Sequence, residues 1–582
     1  MRILRKISEN NLLPFLALAV GVSAGLAAVL LERLISLIQS FLTPLTTAPD
    51  GFAWGRLVLP GAGMLLTLLF VRFIVRDDIG HGVTKVLLSL SRGDALIRPH
   101  NMGTSMAASA MTIGFGGSVG AEAPIVYTGA ALGSNLGRAA GLSQHGIAVL
   151  VGCGAAGAVS GIFGAPLAGV LFTLEILMFN ISMSSMMPLL LSTVSAAVVS
   201  YLFDGGVAKF ACDITPFQPA NIPFYIALGI VCGLMSLYFM RTTLAIEDRL
   251  ARLRHPALRW LLCASALGLL IFLFPPLFGE GYDSLRILLT DRDITASGPL
   301  PLPLDSPWTL PVFLGLVMLL KVLSMTFTNA GGGVGGTFGP TLIVGGLTGF
   351  VLSRSLNLLL SPTGTVIPEH NFVLVGMAGL MAGVMQAPMT AIFLIAEITG
   401  GYELLLPLIL CSTVSFGTIR IREKYSIYSK RIAQSGDLMT HDNDHSALML
   451  IKTADLVRDK YPRVRADMSL RELVGLLSGS TAAVYPVLDA QGRFLAQVEV
   501  EHIRKTIFRT ELYDRLGVRD LMEKPPFTVR VDERMESVME KFAKCGSWRL
   551  PVLDADGRYL GFVSKSRVLE AYREALKEIS RD

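Results

Sequence analysis

Charge is scarce in this sequence. Only 16% of the 582 residues are Asp, Glu, Lys or Arg, against roughly 25% in soluble domains. Hydrophobic residues make up 52% and the mean hydropathy is +0.56. A large soluble enzyme would carry more charge on its surface. The net charge of +5 is spread out, with no Lys/Arg stripe interleaved with aromatics, so no nucleic-acid partner is indicated. The six cysteines are scattered without a CxxC pair, which argues against a disulfide scaffold and a zinc site. No metal cluster and no nucleophile–base set can be assembled, so the chain is not read as an enzyme.

Long apolar stretches are plentiful instead. They recur from about residue 12 to about residue 418, several of them cut by Gly and Pro. Glycine alone accounts for 58 residues. Spanning a bilayer takes about 20 apolar residues. Shorter, broken helices leave backbone groups unpaired unless they line an enclosed cavity, as in transporters and channels. The first apolar run, after "MRILRKISENN", is too long for a signal peptide and shows no convincing cleavage site, so it reads as a membrane helix. Arg2, Arg5 and Lys6 before it, and "RIREKYSIYSKR" after the last run, place both ends in the cytoplasm by the positive-inside rule. The number of crossings should therefore be even.

Two repeats organise the chain. In the tail, "YPVLDAQGRFL" (485–495) and "LPVLDADGRYL" (550–560) match at an offset of 65. Each follows a helical pattern and has Asp and Gly where a strand–turn–strand needs them, which predicts two β-α-β-β-α units. In the membrane part, Gly116, Gly117, Gly120, Pro124, Gly129 and Gly133 meet Gly332, Gly333, Gly336, Pro340, Gly345 and Gly349 at an offset of 216. Gly154, Gly157, Gly161, Ala165, Pro166 and Glu175 meet Gly376, Gly379, Gly383, Ala387, Pro388 and Glu397 at an offset of 222. Repeated halves with glycine breaks at matching places point to a site at the repeat interface near mid-membrane. Residues alone leave open whether the repeats are parallel or inverted. The GxxxG pairs within these sets read as close helix packing.

Within "GGSVGAEAP" (116–124) sits a carboxylate, Glu122; its counterpart "GGGVGGTFGP" (331–340) carries Phe338 at that place. Helix N-termini offer unpaired N–H groups and about half a positive charge, while a full Lys or Arg would hold an ion too tightly for throughput. Both breaks have a Pro just after them, which suits a first helical turn. A carboxylate beside such N–H groups can occupy an anion's place when ionised and vacate it when protonated. The competing reading is a glutamate that merely complements a helix start. The break "GGGVGG" also fits G-x-G-x-x-G, but it lacks the preceding strand and the later acid of a dinucleotide site.

"GHGV" (80–83), "GGSVGAEAP", "GIFGAPLAGVLFTLEI" (161–176), "GGTFGPTL" (335–342) and "SIYSKR" (426–431) occur in order ahead of the tail repeat. Together they make the chain resemble the CLC family of chloride channels and chloride/proton antiporters with a C-terminal CBS pair. The resemblance implies an all-α polytopic membrane domain, an inverted repeat with broken helices, followed by an α/β tandem CBS domain. It also implies a homodimer with one pathway per subunit, in the inner membrane of a bacterium. We expect a transport domain over 1–432, a linker over 433–446, and CBS units over 447–510 and 511–582.

By the same resemblance Glu122 is the gate, and chloride is contacted by His81, Thr337, Phe338 and Tyr428. Tyr428 would use its phenol, and Thr337 and Phe338 their backbone N–H groups. Ordinary capping, helix-start packing and an interfacial tyrosine compete with these roles. At 176, proton-coupled members carry a relaying glutamate; here stands Ile176, which cannot carry a proton, so the channel branch is favoured over an antiporter. Glu175 and Glu397 are expected to be structural. CBS pairs often bind adenine nucleotides through an Asp that neither unit has. Ser564 and Lys565 mark the candidate position, against a dimerising scaffold without cofactor.

Overall fold

A computed structural model describes residues 9–46, 54–91, 95–178, 183–205, 210, 214–253, 255–290, 306–363, 366–435 and 451–581. Arg2, Arg5, Lys6 and most of the expected linker lie outside them. Two compact units result, residues 1–438 and 439–582.

The first unit is helical. Its first half comprises α1 (Glu9–Thr46), α2 (Gly55–Leu69), α3 (Gly82–Ser91), α4 (Thr104–Gly114), α5 (Glu122–Ala140), α6 (Gln144–Phe163), α7 (Pro166–Glu175) and α8 (Met183–Asp204). The second comprises α9 (Ile222–Ala251), α10 (Pro256–Leu273), α11 (Tyr282–Leu289), α12 (Thr309–Ala330), α13 (Phe338–Leu360), α14 (Glu369–Met385), α15 (Pro388–Thr399), α16 (Leu405–Arg420) and α17 (Ser429–Ser435). Among the described residues, eight helices are long and apolar enough to cross a bilayer. This is a multi-pass membrane protein.

The sequence repeat becomes a helix repeat. α5 and α13 begin 216 residues apart, and α7 and α15 begin 222 apart, each of the latter with Pro at its first position. Proline suits that place because its missing N–H has no helical partner there. The buried centre is made of α6 and α14, apolar on every side as a fully enclosed helix must be. Each packs on its neighbour through glycine. A Cβ at Gly129 would overlap the Gly154 carbonyl of α6, and one at Gly349 the Phe372 carbonyl of α14. Close helix approach is thus what the GxxxG pairs serve.

The second unit holds two three-stranded sheets. In one, β1 (Val464–Arg465) runs parallel to β2 (Val484–Leu488), which is antiparallel to β3 (Phe494–Glu499). In the other, β4 (Val529–Arg530), β5 (Arg549–Leu553) and β6 (Tyr559–Ser564) repeat that pattern 65 residues on, including the register shift between the last two residues of the middle strand. Helices Leu470–Ser478 and Met535–Cys545 cross between the parallel strands. The repeats also exchange their leading segments. Arg458 bonds Phe562 in both directions (3.1 and 3.0 Å), while Glu523 bonds Gln497 in both directions (2.8 and 2.9 Å). Leu456 accordingly joins the core of the second sheet, and Val518 that of the first. Val484, Leu488, Tyr559 and Phe562 close the seam between them.

Glu533 braces the second sheet. Its carboxylate accepts from Ser537 Oγ (2.6 Å), from the Arg530 N–H (3.0 Å) and from Lys541 Nζ (2.8 Å). Burial alone would raise its pKa, but the bonds from Lys541, Ser537 and Arg530 outweigh that and hold it below the usual glutamate range. A depressed folded-state value means the contribution is complete above about pH 4.3 and is lost as pH falls through the lower native value. In the full-length protein, Glu533→Gln should speed hydrogen exchange of residues 529–545 at pH 7 and flatten its acid dependence. Exchange equal to wild type at pH 7 would show that this carboxylate braces nothing.

Candidate anion site

The two glycine-rich breaks meet. Gly120 and Gly336 form an antiparallel bridge with reciprocal bonds of 3.0 and 2.7 Å. Around it the bonding is mirrored. Gly117 N–H donates to the Thr112 carbonyl at 2.8 Å, and Gly333 N–H to the Thr328 carbonyl at 2.9 Å. Ser118 N–H donates to Thr328 Oγ1 at 3.1 Å, and Val334 N–H to Thr112 Oγ1 at 3.0 Å. Gly116 and Gly332 take φ of +97° and +104°, a region open to glycine at little cost. The donors freed at Ser118, Gly120, Val334 and Gly336 each find an oxygen in the other half, as a bilayer interior demands.

Directly after each break a helix starts, α5 at Glu122 and α13 at Phe338. Glu122 is 2% exposed. Its Oε2 accepts the Gly339 N–H at 3.2 Å, so the carboxylate of one half sits on the helix N-terminus of the other. Oε1 accepts the Tyr282 hydroxyl at 2.5 Å. A Cβ at Gly120 would run into the carboxylate, and one at Gly339 would lie 3.0 Å from Oε1. Both glycines therefore make room for an anionic oxygen close to backbone.

On the far side of this helix start, Thr337 Oγ1 donates to Tyr428 Oη at 3.0 Å, and Tyr428 lies within electrostatic reach of Glu122. The Phe338 ring is buried against Phe163 (centroids 5.3 Å apart) and Phe172 (6.4 Å). Glu122, Thr337, Phe338 and Tyr428 thus converge. The N–H that meets Glu122 belongs to Gly339, one residue inside the helix, because the first turn rather than its cap residue aims donors along the axis. Thr337 contributes a hydroxyl bond. At φ +53°, His81 has an imidazole that is 44% exposed and turns to Glu247, 3.8 Å away.

Ile176 caps the C-terminal end of α7, 3% exposed in the apolar core. Its neighbour Glu175 accepts N–H bonds from Met389 (3.0 Å) and Thr390 (2.7 Å) at the start of α15. Glu397 on α15 accepts from Leu167 (3.0 Å) and Ala168 (2.9 Å) at the start of α7. These reciprocal caps are the backbone bonding expected of the pair. In the other unit, Ser564 ends β6 and the Lys565 ammonium lies 5.7 Å from the centre of the Trp548 ring.

Residues 62–420 match the family described as Voltage gated chloride channel, more than half of the chain. The chain belongs to this family. Residues 518–574 match the CBS domain, and the first sheet unit repeats that strand pattern. A putative chloride channel protein, ClcB-like, of Ralstonia nicotianae is 29% identical over 66% of this chain and 87% of its own length. Chloride channel protein CLC-e of Arabidopsis thaliana is 29% identical over 68% of this chain and 58% of its own. In fold, the chain is similar to a slow cyanobacterial chloride/proton antiporter at 22% identity, with a TM-score of 0.63 over 74% of this chain and 98% of that one. A eukaryotic CLC transporter covers 96% of this chain and 98% of its own, at 18% identity and a TM-score of 0.62.

Three further residues of the site lie outside the glycine-rich breaks. Tyr282 follows Gly281 in "GEGY", and Glu280 accepts the Ala121 N–H at 3.0 Å. Lys321 is fully buried; its Nζ donates to Ser118 Oγ (2.8 Å) and the Gly279 carbonyl (2.9 Å). A lone lysine inside an otherwise apolar span was the available signal. Thr328→Val would leave the Ser118 N–H buried without its acceptor, at about 1–3 kcal/mol. Its thermal unfolding in detergent should shift down by several degrees while Thr328→Ser stays near wild type; equal stability of Thr328→Val would contradict the cross-bonding account.

Proposed function

We propose that the protein moves anions, chloride above others, across a lipid bilayer through the gap between its two halves, with Glu122 as the gate. One observation carries this reading: the Glu122 carboxylate rests on the Gly339 N–H at the start of α13. An oxygen anion there marks a seat that a halide can take. Losing hydration in hydrocarbon is costly for a halide, and the seat offsets it with oriented N–H groups and hydroxyls instead of a fixed cation. Thr337 and Tyr428 supply hydroxyls just beyond, and His81 supplies a donor at the rim beside Glu247. When Glu122 is ionised it fills the seat; when protonated or swung out it yields it.

The pathway is read as channel-like, because Ile176 offers no ionisable group to pass a proton inward. The alternative is a chloride/proton antiporter on the same frame, the activity named for the slow cyanobacterial protein of similar fold. We further take the protein as a homodimer in a bacterial inner membrane with both ends cytoplasmic. The tail is taken as a dimerising scaffold rather than a sensor of nucleotide at Ser564 and Lys565. No enzymatic reaction is assigned to it.

Reversal potentials in reconstituted liposomes under combined chloride and pH gradients separate the two readings. A channel follows the chloride gradient alone; a potential displaced by the proton gradient would make it an antiporter. Glu122→Gln should raise chloride flux and flatten its dependence on pH between 4 and 8, whereas a wild-type pH response in that variant would remove Glu122 from the gate.

A further inference from the structure

Glu122 is reached from outside the repeat by a short loop. Residues 279–282 follow α10 and bend at Gly279 and Gly281, which take φ of +62° and +96°. Lys321 Nζ holds the Gly279 carbonyl from below (2.9 Å), and Glu280 accepts the Ala121 N–H just before α5 (3.0 Å). Gly279 N–H donates to the Gly116 carbonyl at 3.1 Å. Three bonds thus fix the loop against the first glycine break. Tyr282 opens α11 from this anchored position, its ring edge-on to Phe210 with centroids 5.7 Å apart. Its hydroxyl meets Glu122 Oε1 at 2.5 Å. A cavity of about 750 Å³ lies in front, lined among others by Glu32, Glu280, Tyr282, Asp283 and Arg286.

We propose that Tyr282 is the latch of the gate, a positioning residue whose O–H must release Glu122 Oε1 before the carboxylate can leave the anion seat. The reason is geometric. Gly339 holds one carboxylate oxygen by a backbone N–H that also serves the anion. Tyr282 holds the other oxygen from the cavity side, where the anion arrives. A hydroxyl bonded to an ionised carboxylate is among the stronger hydrogen bonds. It favours the ionised, seated form and weakens when Glu122 takes a proton. The loop anchors give the phenol little freedom to follow a departing carboxylate. Glu122 shares the cavity lining with Glu32 from α1, with Glu280 and Asp283, and with Arg286 on α11; Lys321 on α12 holds the loop that carries Tyr282, and Tyr428 ahead of α17 lies within electrostatic reach of Glu122.

The proposal rests on Glu122 being the gate, and the experiment separates the two. Chloride flux is measured in liposomes between pH 4 and 8 for wild type, Tyr282→Phe, Glu122→Ala and the double variant. Tyr282→Phe keeps the ring and its contact with Phe210. It should raise flux at pH 7 roughly ten-fold, the size expected for one hydrogen bond to an ionised group, and move the half-maximal pH upward. In the Glu122→Ala background, which has no carboxylate to hold, Tyr282→Phe should change nothing. Unchanged flux in Tyr282→Phe alone, or an equal rise in both backgrounds, would overturn the latch. A wild-type pH response in Glu122→Ala would overturn the gate instead. 3-Fluorotyrosine at 282, a stronger donor of nearly the same size, should lower flux at pH 7; a rise would also overturn the latch.

Discussion

A peptide N–H inside a bilayer needs an acceptor, because hydrocarbon supplies none. In this protein that requirement organises the centre of the membrane unit. Each half breaks its helix in a run of glycines, and donors so freed are taken up by the other half. The Gly120–Gly336 bridge and the crossed Thr112 and Thr328 hydroxyls do this symmetrically. Symmetry would leave two equivalent helix starts facing one gap. At the first residue of the two helices the chain departs from it, with Glu122 standing against Phe338. One helix start thereby brings the carboxylate, and the other brings the N–H group that receives it.

Around this pair the structure separates holding from filling. Glu175, next to Ile176 in sequence, and Glu397 hold α7 and α15 to each other through backbone bonds. α6 and α14 fill the interior, and their glycine contacts set the distance between layers. The gap can then be lined by small dipoles: hydroxyls of Thr337, Tyr428 and Tyr282 and the N–H of Gly339. Weak, numerous donors suit an ion that must leave as readily as it enters.

Much of this was legible in the sequence, because its signals are local. The two offsets, 216 and 222, predict where α5, α7, α13 and α15 start, since glycine and proline act on the backbone where they stand. The tail repeat at 65 predicts the strands for the same reason. What sequence left hidden depends on contacts between distant segments. Tyr282 is 160 residues from Glu122 and looks like an ordinary helix-start tyrosine. The exchange of Arg458 and Glu523 between the two sheet units has no local mark either. His81 was aligned with the site by its glycine turn, but its side-chain direction follows from the positive φ and from Glu247, neither of which spacing encodes.

The central claim is that one seat serves both the Glu122 carboxylate and a halide. Anomalous diffraction from crystals of Glu122→Gln grown in bromide tests it directly. A bromide peak beside the Gly339 N–H and the Tyr282 hydroxyl, where the native carboxylate lies, is the result expected. Bromide bound elsewhere with that position dry or filled by side chain would contradict the account.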